Sequence, residues 1–185
     1  MPELRAAGLA LALLAVAPCA SAADWMQAPG STLAFAGKYE GDVFTGRFPG
    51  FMTTLSFDPQ HLEAARLDVA IPVTSATTDN DDYDEAMRGE DFFAATRFPQ
   101  AHYSATKFRS LGDGRFAADG MLSLHGVSRP VTLAFTWTPG AQPVLAGKAT
   151  VKRLAFGIGG GDWADTGLIP DEIAVSTRVV FTPAK

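Results

Sequence analysis

The side chains that could carry chemistry in this chain are few and scattered. Three histidines, His61, His102 and His125, lie far apart in the sequence and share no spacing that is typical of a metal site. We interpret each of them as a turn or surface residue, and we expect His125 to satisfy hydrogen bonds in its own loop. The pattern therefore favours neither a histidine metal site nor a histidine base.

An acidic run from Asp79 to Glu85 is a second candidate, because clustered carboxylates can bind Ca²⁺. The run lacks the central glycine and the distal glutamate of an EF-hand loop. Acidic side chains are also favoured in the first turn of a helix, where they interact with its dipole. We therefore predict a short helix here, capped by Asp79 or a neighbouring threonine and ended by Arg88 and Gly89.

Serine and glycine motifs give no support for catalysis. No serine stands in a G-x-S-x-G context, and Gly159–Gly160–Gly161 is not the G-x-G-x-x-G motif of a phosphate-binding loop. We interpret this glycine run as a flexible loop at a rim, with Trp163 either packing on the end of the fold or lying over it as a lid. We expect no enzymatic activity, no metal and no cofactor.

The elements that must position these side chains are strands, and Met121–Trp137 shows the pattern best. Apolar residues alternate with small or polar ones in both halves of this stretch, and a connection from His125 to Pro130 separates the halves. A period of two places the apolar side chains on one face of each strand. We therefore predict a β-hairpin with one apolar face that other protein or a ligand must cover.

Similar alternation recurs along the chain, most regularly from Ala65 to Val73. A strand between Val43 and Asp58 is interrupted at Pro49–Gly50, which predicts one bent or bulged strand or two short ones. About eight strands and one short helix, joined by glycine-rich turns, predict an all-β fold, either an antiparallel barrel or a sandwich.

The faces predicted to point inward carry large aromatic residues interleaved with glycines. A ligand cavity and an ordinary packed core both explain that mixture. The aromatic residues are Phe35, Phe48, Phe51, Phe135, Trp137 and Phe156, and the glycines are Gly37, Gly46 and Gly120.

Composition and the first residues indicate an exported single domain. The chain has 185 residues, of which 47% are hydrophobic and 19% charged, enough for one sizeable core. Residues 1–23 are predicted to be a secretory signal peptide, cleaved after Ala22 or Ala23, and the single cysteine, Cys19, lies within it. The net charge of −5 argues against nucleic acid as a partner. We therefore predict a thiol-free domain, residues 24–185, in the periplasm or secreted.

Several motifs read together resemble the YceI family, exported lipocalin-like domains that bind polyisoprenoids and related long-chain amphiphiles. Leu122–Leu133, LSLHGVSRPVTL, resembles the family signature L-T-L-H-G-V-T-x-P-V-T-L. Gly46–Pro59 is similar to its G-R-F and F-D-P segment, and Glu90–Phe108 to its D-F-F…P-x-A-x-F-x-S segment. Arg153–Gly157 resembles R-x-x-F-G, and Asp171–Ile173 the start of the last strand.

The resemblance implies an extended eight-stranded antiparallel lipocalin-like barrel with a hydrophobic tunnel, which the helix near Asn80–Arg88 helps to cover. It implies an isoprenoid quinone, a polyprenyl lipid or a fatty-acid amide as ligand, without catalysis. Burial contributes about 0.8 kcal/mol per methylene, so the tail of such a ligand would supply most of the affinity. The residues expected to line the pocket are Phe35, Tyr39, Phe48, Phe51, Tyr83, Met87, Phe92, Phe93, Leu122, Leu124, Leu133, Phe135, Trp137, Phe156 and Trp163.

Two departures from the family pattern bear on the ligand's head group. Tyr39 stands where relatives usually have histidine, and in N-x-x-R-D-x-H-L the arginine and the histidine are replaced by Tyr83 and Ala86. The acidic residues around Tyr83 would repel an anionic head such as pyrophosphate. We therefore expect a neutral head, a quinone or an amide.

Two further questions stay open at the level of sequence. A module with a closed core, acting through its outer surface and partnering a membrane redox protein, is the alternative to a lipid carrier; an exposed apolar patch and no cavity would favour it. A monomer and a homodimer fit equally, and a transient contact with a membrane or a membrane protein is compatible with either.

Overall fold

Strands dominate the computed structural model, which describes residues 23–184. Residues 1–22 of the predicted signal peptide lie outside the described residues, and Ala23, its predicted last residue, is the first residue of the first strand. No helix in the described range is long and apolar enough to cross a membrane. The elements are β1 (Ala23–Gln27), β2 (Thr32–Tyr39), β3 (Asp42–Arg47), β4 (Met52–Phe57), β5 (Arg66–Pro72), α1 (Asp81–Arg88), β6 (Gln100–Gly112), β7 (Arg115–Leu124), β8 (Val127–Thr138), β9 (Val144–Lys152) and β10 (Glu172–Pro183), with short 3-10 turns at Leu62–Ala64, Val73–Ser75, Arg153–Phe156 and Gly161–Trp163.

The strands form one antiparallel sheet that closes on itself. From β4 to β10 each strand pairs with the next along the chain, and β1 pairs with both β4 and β10. These eight strands make a closed barrel. The hairpin β2–β3 lengthens the barrel wall, because β2 pairs with β10 beyond the point where β1 ends. The prediction of an eight-stranded antiparallel barrel with one short helix is confirmed.

At two places in the barrel wall, two strands that are consecutive in the chain follow one another end to end. Gln27 is opposite Phe181 and Thr32 is opposite Arg178, so β1 and β2 follow one another along β10 with a short irregular stretch between them. In the same way β3 and β4 are separated at Pro49–Gly50, the interruption that the sequence predicts. Alternation does not reveal β1 in the sequence, since five residues are too few to establish a period.

The β7–β8 hairpin has a tighter turn than the sequence suggests. Only His125 and Gly126 connect the strands, with φ values of 52° and 74°, and β8 already begins at Val127. Two positive φ values in a two-residue loop match the twist of the flanking strands, so pairing continues to the turn. The prediction of a connection reaching Pro130 is therefore wrong: Pro130 lies inside β8, opposite Met121.

Helix α1 is capped by a residue other than the predicted one. The Asn80 side chain accepts hydrogen bonds from the backbone N–H groups of Asp82 and Tyr83, at 3.0 and 3.2 Å. Asp79 instead pairs with the Arg47 guanidinium, whose Nη1 lies 2.6 Å from its Oδ2. The predicted end is confirmed, because the N–H of Gly89 closes the last turn.

The interior of the barrel is filled at one end only. At the end where β1 begins, seven aromatic side chains form a cluster that we call the plug. Its centre is Phe57, which is 2% exposed and lies 5.2 Å from both Phe116 and Trp137 between ring centroids. The plug consists of Trp25, Phe57, Phe108, Phe116, Phe135, Trp137 and Phe181.

The inward-facing glycines are covered by rings from neighbouring strands. The ring of Phe35 lies over Gly46, where an added Cβ would approach it to 2.2 Å, and the ring of Tyr103 lies over Gly120. Each glycine therefore lets an aromatic side chain lie flat against the sheet.

Candidate functional site

An apolar cavity of about 230 Å³ occupies the half of the barrel that the plug leaves free. Leu67, Leu145 and Val179 are at its inner end next to the plug, and all three are at most 2% exposed. At the other end lie the β2–β3 hairpin, α1 and the loop of residues 157–170, which we call the rim loop. Wall residues there, such as Phe44 and Met87, are only partly buried, so this end is the mouth.

Most of the wall comes from alternating aliphatic residues of the strands. Few of these side chains are among the predicted pocket residues, which are mainly aromatic, although their period of two is visible in the sequence. β5 and β10 contribute the longest rows, namely Leu67, Val69 and Ile71, with Val73 just beyond β5, and Ile173, Val175, Thr177 and Val179.

The fifteen side chains predicted for the pocket divide into two groups. Eight lie in the cavity wall: Phe35, Phe48, Met87, Phe92, Phe93, Leu122, Leu124 and Leu133.

The other seven lie outside the wall, in three different places. Phe135 and Trp137 belong to the plug, because β8 continues past the inner end of the cavity. Phe51 and Phe156 are buried in the surrounding core, at 3% and 1% exposure. Tyr39 and Tyr83, together with Trp163, form part of the rim.

Trp163 packs on the rim and does not enter the barrel. Its ring lies 5.5 Å from that of Phe92, and its Nε1 donates to an Asp91 carboxylate oxygen at 3.3 Å. Of the two predicted positions, the structure shows packing at the end of the barrel.

Arg153 holds the rim loop, and neither periodicity nor motif chemistry predicts this role. The residue is 3% exposed, and all its donors face backbone carbonyl oxygens. Burial lowers the pKa of the guanidinium. Its distances are 3.2 Å to Pro170, 3.1 Å to Ile158, 2.6 Å to Gly159, 2.8 Å to Trp163 and 2.7 Å to Ile169.

Three further polar side chains reach the cavity wall. The Tyr103 hydroxyl lies 2.8 Å from the Ala118 carbonyl oxygen and 3.1 Å from that of Val131, and burial raises its pKa to about 12. The Thr177 hydroxyl donates to the carbonyl oxygen of Thr32 at 2.9 Å. The third, Thr53, makes no hydrogen bond through its hydroxyl.

The histidines lie apart, and each has a partner of its own. His61 Nδ1 is 2.9 Å from Asp58, whose hydrogen bond raises the pKa of the imidazole. His102 pairs with Asp68 on the neighbouring strand. His125 Nδ1 meets the Phe156 carbonyl oxygen at 3.0 Å, so its partner lies in another segment and not in its own loop. Within residues 23–184, no three metal-binding side chains come together.

Comparison with known proteins identifies the family. A family model described as the YceI-like domain matches residues 26–181. The chain belongs to the YceI-like family. A UPF0312 protein of Vibrio vulnificus is 31% identical over 147 residues, which are 77% of each chain. A UPF0312 protein of Vibrio parahaemolyticus is 31% identical over 135 residues, 71% of each chain.

Solved structures share the fold of this YceI-like chain. BcnA of Burkholderia cenocepacia superimposes with a TM-score of 0.78 at 27% identity, over 81% of this chain and 95% of BcnA. A polyisoprenoid-binding domain of Saccharophagus degradans, implicated in plant cell wall breakdown, gives 0.67 at 16% identity, over 88% and 99%. At this low identity the second likeness shows the fold alone.

Tyr39 and Tyr83, two of the residues expected to differ from the family pattern, meet at the mouth. The rings of Tyr39 and Tyr83 lie edge to face, with centroids 6.5 Å apart, although 44 residues separate them in the sequence. Tyr83 also packs against Phe44, at 6.2 Å, and Phe44 lines the cavity. The β2–β3 hairpin and α1 are thus joined by aromatic contacts at this point.

Proposed function

We propose that this YceI-like protein binds one long-chain amphiphile in its barrel and carries or sequesters it without catalysis. The observation that carries the proposal is the apolar cavity between the plug and the mouth. Its wall is almost entirely aliphatic and aromatic, which suits a hydrocarbon tail. An isoprenoid quinone, a polyprenyl lipid or a fatty-acid amide belongs to this class of ligand, and the Saccharophagus degradans domain of the same fold is itself described as polyisoprenoid-binding.

The polar groups of the wall favour binding over chemistry. The ionisable side chains that line the cavity in the described chain are Tyr103 and Arg153, and both are already hydrogen-bonded to backbone carbonyl oxygens. Neither is free to transfer a proton or to attack a substrate. A closed-core interaction module, the alternative, would need no such cavity.

Charge at the mouth supports a neutral head group. Asp81, Asp82 and Glu85 lie exposed on α1, beside the opening. These carboxylates would repel an anionic head during entry. We propose export to the periplasm as the setting, after cleavage near Ala22 or Ala23.

The experiment is an organic extraction of the purified protein, followed by mass spectrometry. We expect one hydrophobic compound in near-stoichiometric amount. Ala149→Trp places a ring in the cavity wall, whereas Lys148→Trp, the next residue on β9, places the same ring on the exposed outer face. The compound should disappear from the first variant and persist in the second.

Two results would contradict the proposal. A wild-type extract without any bound compound, and with no uptake of added lipid, would favour the interaction module. Equal retention by the two tryptophan variants would place the compound outside the barrel.

A further inference from the structure

Thr53 is the polar side chain of the cavity wall whose hydroxyl has no partner. It lies on β4 opposite Val69, one inward position from Leu55, which is 2% exposed and faces Leu67 at the inner end of the cavity. The hydroxyl therefore lies one inward position, about 7 Å along the strand, from the inner end of the cavity.

A buried hydroxyl without a partner is unfavourable, because it loses its hydrogen bonds to water and gains none. Thr53 is 3% exposed. Three buried side-chain atoms lack a partner in the described chain, on Trp25, Gln27 and Thr53, and of these residues Thr53 alone borders the cavity. The Thr53 hydroxyl is thus open to a group inside the cavity, and the unpaired Gln27 Oε1 on the neighbouring strand β1 is the competing acceptor.

The wall around Thr53 also indicates the charge of that group. Arg153 is the cationic side chain of the wall, and its donors are directed at carbonyl oxygens of the rim loop. No basic side chain of the described residues lines the inner end of the cavity. An anionic head would be buried there without a counter-ion, at a large desolvation cost.

We propose that the Thr53 hydroxyl binds the head group of the ligand, so that the amphiphile lies head inward with its tail towards the mouth. The head is uncharged and presents an oxygen that accepts a hydrogen bond, such as an alcohol or a carboxamide. The inference rests on the proposed function, and it adds the orientation of the ligand and the residue that selects its head.

The test compares farnesol with farnesene, two probes with the same isoprenoid skeleton, of which farnesol alone has a hydroxyl. Each competes with N-phenyl-1-naphthylamine for the purified protein, freed of lipid on a hydrophobic resin. Thr53→Val removes the hydroxyl and keeps the shape of the side chain. Thr177→Val is the matched control, because that hydroxyl also lies in the wall but already donates to Thr32.

We expect Thr53→Val to weaken farnesol binding about tenfold, the effect of one hydrogen bond, with farnesene unchanged or slightly tighter. Thr177→Val should leave the ratio of the two affinities within about twofold of the wild type. If Thr53→Val leaves this ratio unchanged while both probes bind, the inner-head assignment is wrong and the proposed function stands. If neither probe binds the wild type, the proposed function itself fails.

Discussion

The two ends of the barrel use the same kinds of residues and reach opposite results. In the plug, rings from neighbouring strands converge on the barrel axis at one level, and Phe57 has four aromatic neighbours within 5.9 Å. At the mouth, Phe35 and Phe48 also pack together, at 5.1 Å, yet they border an open cavity. Aromatic content therefore does not decide between core and cavity; the level along the barrel axis at which the rings meet does.

The ends also differ in what stabilises them. Apolar contacts hold the plug together, whereas buried polar groups hold the mouth. Arg153 binds the rim loop, and Asp84, 6% exposed, accepts hydrogen bonds from the N–H and hydroxyl of Thr78 at 2.6 and 2.8 Å. The mouth should therefore respond to charge and pH, and the plug to the size of its side chains.

The largest effect is expected from truncating the centre of the plug. Phe57→Ala removes a fully buried ring and leaves a cavity among the surrounding aromatic residues, which should lower the free energy of unfolding by about 3–5 kcal/mol. Phe44→Ala removes the same ring from the partly exposed mouth and should cost less than half as much. Urea unfolding monitored by circular dichroism measures both. Equal losses would show that the two ends do not differ in packing.

Arg153→Met should be the next most damaging change, and its effect should be confined to the mouth. It leaves several buried carbonyl oxygens without a donor. Because each lost hydrogen bond contributes only weakly, we expect the free energy of unfolding to fall by about 2–4 kcal/mol in total. Hydrogen exchange should show that the amides of residues 157–170 lose protection and that those of β7 keep theirs. Arg153→Lys keeps the charge and up to three donors, so its loss should be smaller. An undisturbed rim loop in Arg153→Met would contradict the assigned role.

Acid should loosen α1 before it affects the plug. Burial pushes the pKa of Asp84 up, but hydrogen bonds from Thr77 and Thr78 and the charge of Arg88 outweigh it, so the pKa lies below its ordinary value of 3.8. The stabilisation is therefore complete above that ordinary value and is lost as pH falls through the lowered one.

Hydrogen exchange followed by NMR between pH 6 and pH 2 should show the amides of residues 81–88 losing protection first, with the ring signals of Phe57 and Trp137 in the plug unchanged. In Asp84→Asn, which keeps an accepting oxygen but has no charge to lose, most of this pH dependence should disappear. Simultaneous loss of both regions would mean that the mouth has no separate stability.

Thr53→Val should give the smallest effect, and with the opposite sign. Replacing an unpaired buried hydroxyl by a methyl group should raise the stability of the ligand-free protein by about 1 kcal/mol. Thr177→Val breaks an existing hydrogen bond and should lower it by a similar amount. Urea midpoints of the two variants check this, and destabilisation by Thr53→Val would show that its hydroxyl has a partner in the empty barrel.

The sequence by itself determined the fold class, the helix near Asn80 and the family. Period-two alternation depends only on which side of a strand each residue occupies, so it reveals strands and inward faces without a structure. By this criterion, the sequence alone places Thr53 on the same face of its strand as Phe51, Leu55 and Phe57. The family motifs add to this because the turns and ends of strands depend on particular residues, as at His125–Gly126.

Only the tertiary structure decided which inward residues line the cavity and which fill the core. Alternation gives a face but no height along the barrel axis, so Leu133 and Phe135 look equivalent in the sequence although one lines the cavity and the other belongs to the plug. The contact of Tyr39 with Tyr83 joins segments 44 residues apart in the chain, and Arg153 contacts carbonyl oxygens of the rim loop up to 17 residues away. Such contacts follow from how the barrel closes, which depends on strand pairing and stagger and not on any local pattern.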